Sequence, residues 1–566
     1  MKNLLSLSLS LLSAALLLAG CANAPVAPPA PIEINLVALN DFHGQLEAQE
    51  RVISAPGEAR RTMRVGGIAT IGGALNAWRA EDPELLLVGA GDLLGATPAL
   101  SSIWADEPTI EALNLLGLRL SSVGNHEFDR GSSELLRQQN GGCASPSPAR
   151  ACKLRGRFEG AKFAYLSSNV VHASDGQPLL PAYRIETVKG VKIAFIGAVL
   201  QDTQNLVSKN GIAGLQFLNE VETVNRWAAE IKRAHAVSAM VLLIHEGGTT
   251  PEQFDKVDCD QLKGPIVDIV SRLDPAIRLV ISAHSHQGYL CKVDGRVVTQ
   301  AASMGQVLTR IKMQVDPHTL ALRDIAVRNV TMAQDSFAPD AALAKFLTDL
   351  KIRSDAVLTR PVARLAVPHI SNRIDAAGAS PLGDVASDAQ LTATRPLGAQ
   401  LVFINHKSIR VALESGPDGA SYAQVAATHP YGNTLILMTL TGAQIRALLE
   451  QQSWLEADSK TGRRTLQIAE GFTYRWDAAQ PLGQRVVAGS MLLNGVALAD
   501  AQRYRVSVNS YLAQGGDGFT VFKEGSERSD TGILDLDAII DYLGARERSG
   551  KPAGSERPAG RIVRLN

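Results

Sequence analysis

Five short apolar runs mark the first half of the chain, and each stops at residues able to bind a metal or move a proton. Residues 34–39 run into Asn40-Asp41-Phe42-His43-Gly44, and 85–90 into Gly91-Asp92. Residues 118–123 lead to Gly124-Asn125-His126-Glu127-Phe128-Asp129. Residues 239–244 lead to His245-Glu246-Gly247-Gly248, and 277–283 to His284-Ser285-His286. Such runs, bounded by glycine and polar residues, read as buried strands. Between them, 68–79 and 221–236 read as helices. The alternation, from about 32 to 330, predicts a layered α/β domain. Residues 338–358 read as one helix, with Pro339 near its first turn and Leu343, Phe346, Leu347 and Leu350 on one face. From Pro361 on, strand signals at 400–404, 435–440 and 504–508 predict a second α/β domain. There is no internal repeat and no transmembrane helix beyond the first twenty residues.

Sites in open α/β sheets form outside the carboxyl ends of the strands. Five strand ends bearing His, Asp or Asn therefore converge on one crevice. A single His after an apolar run is more often a satisfied core residue. Five of the chain's eleven His at such positions are hard to explain that way.

Length and charge narrow the field. A chain of 566 residues exceeds one hydrophobic core, so two domains are expected. Lys plus Arg and Asp plus Glu both number 56, which argues against nucleic-acid polymers or anionic membrane surfaces as main partners.

Residues 1–20 read as a signal peptide: a weakly basic Met1-Lys2-Asn3, an apolar stretch from 4 to 18, and Leu18-Ala19-Gly20 before Cys21. Small residues directly before a cysteine resemble the lipobox of bacterial lipoproteins, which implies acylation of Cys21. The alternative is an ordinary secretory signal cut nearby. Residues 21–31, rich in Ala and Pro, then form an extended tether, and Ala22 points to the outer membrane. The chain is thus expected to be exported and to meet a membrane only through its anchor. Four cysteines remain. Cys143 and Cys152 bracket a short loop and are expected to pair. Cys259 and Cys291 are then expected to pair across His284-Ser285-His286, although four cysteines allow three patterns.

Together these motifs resemble the calcineurin-like metallophosphoesterase domain of bacterial and animal 5′-nucleotidases, over nearly the whole mature chain. The resemblance implies an α/β/β/α sandwich over 32–335, a linker helix over 336–360 and a C-terminal substrate-binding domain over 361–566. It implies two divalent metal ions, with mixed imidazole and oxygen ligands that suit Zn, Mn, Co or Fe. Asp92 would bridge them, Asp41, His43 and His286 completing one shell and Asn125, His245 and His284 the other. His126 and Asp129 match the family's catalytic dyad. Glu127 is expected to be structural, and Glu246 has no expected role.

In the second domain, Pro430-Tyr431-Gly432-Asn433 and the segment 511–519 resemble two loops that place an aromatic ring on each side of a nucleobase. Tyr431 and Tyr511 stand where Phe is usual, which keeps the stacking and adds a hydroxyl. Asp517 falls where the family holds the ribose hydroxyls. Asn405 and Arg410 keep a family interval, and Arg373 is a looser match to a further pocket arginine. His406-Lys407-Ser408 replaces the usual glycines between them. The resemblance implies hydrolysis of 5′-nucleotides, and also of nucleotide diphosphate sugars or similar compounds. Two rivals stand: a 2′,3′-cyclic-nucleotide phosphodiesterase with 3′-nucleotidase activity, and a non-catalytic nucleotide-binding lipoprotein.

Overall fold

The computed structural model describes residues 30–53, 61–207, 211–455 and 463–566. The expected signal peptide, the lipidation site Cys21 and most of the tether lie outside the described residues.

The first domain is built on two sheets packed face to face. One has six strands in the order Leu322–Thr331, Val307–Val315, Ile32–Leu39, Leu86–Ala90, Leu118–Ser122 and Ala164–Leu166. The other has seven: Val257–Cys259, Gly288–Val293, Arg296–Ala301, Ile277–Ile281, Ala239–His245, Val191–Val199 and Tyr183–Val188. Alternation along each strand sends Ile34, Leu36, Val88 and Leu120 to meet Phe195, Val241, Leu243 and Leu279 in an apolar core between the sheets. The opposite face of the first sheet packs on helices Ile68–Glu81 and Glu107–Leu116, and that of the second on Glu220–Ala234 and Pro265–Ser271. The result is the expected α/β/β/α sandwich.

Four neighbouring strands of the first sheet run parallel (Ile32–Leu39, Leu86–Ala90, Leu118–Ser122 and Ala164–Leu166), as do four of the second (Val191–Val199, Ala239–His245, Ile277–Ile281 and Arg296–Ala301). Parallel neighbours bring their carboxyl ends to one edge, and the site forms there.

Helix Ala341–Leu358 follows. It starts three residues later than the sequence suggests, because Asp340 is the N-cap and accepts from Leu343 N at 2.8 Å. Pro339 therefore lies before the helix rather than in its first turn. The other oxygen of Asp340 accepts from Asn76 of helix Ile68–Glu81 at 2.6 Å, and Leu343, Phe346 and Leu350 are buried in the first domain's core. Leu347 is only half-buried.

The second domain centres on a five-stranded sheet: Leu466–Ile468, Leu401–Asn405, Arg503–Asn509, Thr434–Thr441 and Ser526–Leu534. Helices Pro381–Thr394 and Asp535–Arg548 cover one face and Gly442–Glu450 the other. Ile103 of the first domain is buried in the core of the second. Both expected disulfides, Cys143–Cys152 and Cys259–Cys291, are present, the second joining two strands of the seven-stranded sheet. Among the described residues no helix is long and apolar enough to cross a membrane.

Candidate active site

Each expected ligand stands at a strand's carboxyl end. Asp41 and His43 follow Ile32–Leu39, Asp92 follows Leu86–Ala90, and Asn125 follows Leu118–Ser122. His245 ends its strand, while His284 and His286 follow Ile277–Ile281. Asp41, His43, Asp92, His284 and His286 all take left-handed backbone conformations, with φ between 48° and 69°. Such strain persists only where the surroundings over-determine it, and it clusters at functional sites. The glycines of these corners are needed for close approach: a Cβ on Gly91 would meet Gly124 N at 2.5 Å, and one on Gly124 would strike the Asp92 carboxylate.

The side chains gather as the division of ligands requires. Ligand atoms of Asp41, His43 and His286 lie within 4.8 Å of one another, as do those of Asp92, His245 and His284. His284 Nδ1 is 3.1 Å from Asn125 Oδ1. A third grouping, His43, Asp92 and His126, links the clusters through Asp92.

The donor set fits cations. His43 Nδ1 donates to Gly95 O at 2.9 Å and His245 Nδ1 to Ala90 O at 2.9 Å, which fixes both rings and turns each Nε2 toward the Asp92 carboxylate. His245 Nε2 is buried 3.0 Å from Asp92 Oδ2. Burial pushes His43 and His284 down to about 3, so both are neutral imidazoles, the form that ligates; His286 is lowered in the same direction although its side chain is exposed. Burial works against ionisation of Asp92, but the His245 and His126 imidazoles outweigh it and hold the carboxyl well below its ordinary range.

The dyad lies beside these clusters. His126 Nδ1 donates to Asp129 Oδ2 at 2.7 Å, and the His126 backbone N–H donates to Asp92 Oδ1 at 2.9 Å. Burial alone would lower the pKa of His126. The Asp129 and Asp92 carboxylates overcome it and raise the ring to about 10, so it is a cation at neutral pH.

Two residues outside the expected ligand set hold it in place. The Glu127 carboxylate accepts backbone N–H groups from Gly124 (2.6 Å), Leu93 (2.8 Å), Asp92 (2.9 Å) and Leu94 (3.1 Å), tying the Asp92 corner to the Asn125–His126 corner. This gives the expected structural role a specific form. Asn40 donates to Asp41 Oδ2 at 2.6 Å and to Ala302 O at 2.7 Å. Its own oxygen accepts from Ala301 N. Its position directly before Asp41 was the only available signal. Glu246 caps its own turn, accepting from Gly247 N at 2.8 Å.

A cavity of about 580 Å³ opens between the two domains above this site. Asn125, His126, Asp129 and His284 line it from the first domain. From the second come Asn405, Arg410, Tyr431, Asn433, Tyr511 and Asp517, with His406, Lys407 and Ser408 in a short 3₁₀ turn at its wall. Arg410 stands 3.5 Å from the Tyr431 hydroxyl. Arg373 is exposed and does not line the cavity, and its neighbour Asn372 does so instead.

A His and Asp donor set at parallel strand ends, most of it buried and closed over by a second α/β domain, defines a two-domain metallophosphoesterase. Comparison with known proteins agrees. Residues 34–288 match the calcineurin-like phosphoesterase family, and residues 361–524 match the 5′-nucleotidase C-terminal domain. The chain belongs to the 5′-nucleotidase family of metallophosphoesterase hydrolases. It is similar to a 5′-nucleotidase of Vibrio cholerae, 22% identical over 606 residues and covering 98% of each chain. A Bacillus subtilis relative named Endonuclease YhcR is 28% identical over 526 residues, 93% of this chain, which spans only 41% of that protein's length. Among solved structures, the 5′-nucleotidase precursor of Thermus thermophilus superposes with a TM-score of 0.66 at 25% identity, covering 94% of this chain and 100% of its own.

Proposed function

We propose that the protein releases phosphate from 5′-nucleotides, as an exported enzyme anchored by a lipid on Cys21. The observation that carries this reading is that the His126–Asp129 dyad and both tyrosines, Tyr431 and Tyr511, line one cavity. Divalent metals held by Asp41, His43, Asp92 and His286, and by Asp92, Asn125, His245 and His284, would supply the nucleophile and neutralise phosphoryl charge. The protein's own groups do the rest. Protonated His126, held by Asp129 through Nδ1, offers its Nε2–H to a phosphoryl oxygen as charge builds there. The tyrosine rings stack on the base, and Asp517 accepts from the sugar hydroxyls. Arg410 lines the cavity close enough to the clusters to add to the lowering of His286, and it suits an anionic group of the substrate. Export is supported by the signal-like N-terminus and the two disulfides.

Initial rates on AMP, UMP, a UDP-sugar and 2′,3′-cyclic AMP test the substrate assignment. AMP or UMP is expected to have the highest kcat/KM. A preference for the cyclic ester would replace the 5′-nucleotidase reading with a cyclic phosphodiesterase on the same metal site.

A further inference from the structure

The hydroxyl of Tyr511 is not needed for stacking, yet it makes two hydrogen bonds at the cavity wall. It donates to Asp517 Oδ1 at 3.0 Å and accepts from the Asp517 backbone N–H at 2.9 Å. The other carboxylate oxygen, Oδ2, accepts from Asn405 Nδ2 at 2.8 Å, and Asn405 is itself fixed by Asn509 Nδ2 at 3.0 Å. Asn509 caps the short helix that carries Tyr511, accepting from Leu512 N at 2.8 Å. The chain Asn509–Asn405–Asp517–Tyr511 thus closes on itself across two segments of the second domain.

Asp517 needs such fastening. It sits in Gly515-Gly516-Asp517-Gly518, a backbone with little stiffness of its own, at φ 54°, where a residue with a Cβ is strained. Gly516 lets this loop lie directly on the ring: a Cβ there would come within 2.5 Å of Tyr511 Cε1. Burial and the Asp517 charge push the Tyr511 phenol well above its ordinary value, so it remains a donor at every working pH.

We infer that Tyr511 is a positioning residue as well as a stacking ring: its hydroxyl sets the Asp517 carboxylate in place to receive the sugar of the substrate. The inference rests on the nucleotide reading above and deepens it. A phenylalanine would keep the ring and lose both ties, leaving Asp517 to be ordered at the expense of substrate binding.

The test is a double-mutant cycle on the full chain, Tyr511→Phe alone and in an Asp517→Ala background. The readout is the ratio of kcat/KM for AMP to that for p-nitrophenyl phosphate, a phosphate ester without sugar or base. Hydrogen bonds to a charged group carry roughly ten-fold in affinity. Tyr511→Phe is therefore expected to lower the ratio about ten-fold, through KM for AMP rather than kcat. In the Asp517→Ala background the same change is expected to move it less than about two-fold. An equal drop in both backgrounds, or none in either, overturns the inference. AMP binding by calorimetry reads the same cycle without turnover. A protein that binds AMP with this pattern and does not hydrolyse it would sink the nucleotidase reading and leave the positioning role standing.

Discussion

Glu127 shows how much of the site depends on a residue outside the expected ligand set. Its carboxylate collects four backbone N–H groups from two corners, donors that favour the anion against the burial and the Asp92 charge that raise it to about 7. Glu127→Gln would set an amide N–H₂ against some of those donors and leave them buried and unpaired, at a cost of about 1–3 kcal/mol. The expected outcome is a higher metal concentration for half-maximal activity, by about ten-fold or more, read by titrating metal into chelator-stripped protein. His429, just before the Tyr431 loop, is the opposite kind of group. It is buried, its Nε2 has no hydrogen-bond partner among the described residues, and burial holds it down to about 4 against an ordinary 6.5. The unfolded chain therefore binds the proton first as pH falls, and folded stability is lost between about pH 6.5 and 4. Denaturant titrations of wild type against His429→Gln are expected to show a constant difference above pH 6.5. Below it, wild type declines relative to the variant by up to about 3 kcal/mol. A difference independent of pH would contradict this assignment.

At the scale of elements, the strand ends carry the site because parallel pairing leaves no other place for their last residues. Asp92, Asn125, His245 and His284 were legible for that reason, each being the first polar residue after an apolar run, and Asp41 follows its run by one residue, behind Asn40. The supporting contacts were not legible. Nothing local marks Asn40 or Glu127 as hydrogen-bonding to loops over 250 and 30 residues away respectively. Arg373, a looser match to a pocket arginine, is exposed, and Asn372 beside it lines the cavity. The linker helix began late because the sequence offers both Pro339 as a first-turn residue and Asp340 as a cap, and only the fold shows Asp340 reaching Leu343 and Asn76 together. Asp340→Ala is expected to destabilise the protein by about 1 kcal/mol or more, seen as a lower Tm, since it removes a cap and an interhelical bond. The Cys259–Cys291 bond closes a 32-residue separation around part of the second sheet. Its removal by Cys259→Ala with Cys291→Ala is expected to cost about 3–4 kcal/mol on the chain-entropy model, measured by urea unfolding.

For the whole molecule, the central observation is that residues of both domains line one cavity. The first provides the metal-binding residues and the dyad, the second the aromatic rings, Asp517 and Arg410, and the cavity exists only between them. The two-domain plan was readable from the composition of the strand runs and from motif resemblance. The shared cavity was not, because it depends on how one domain sits on the other. Phosphate release from AMP by the purified protein, with Mn or Zn, tests the account most directly when run beside His126→Ala and beside chelator. The account requires turnover that falls about 10²–10³-fold in His126→Ala, the loss typical of removing one oxyanion-stabilising donor, and that disappears when metal is stripped. Metal-loaded protein that releases no phosphate from AMP, or that releases it equally well without His126, would contradict it.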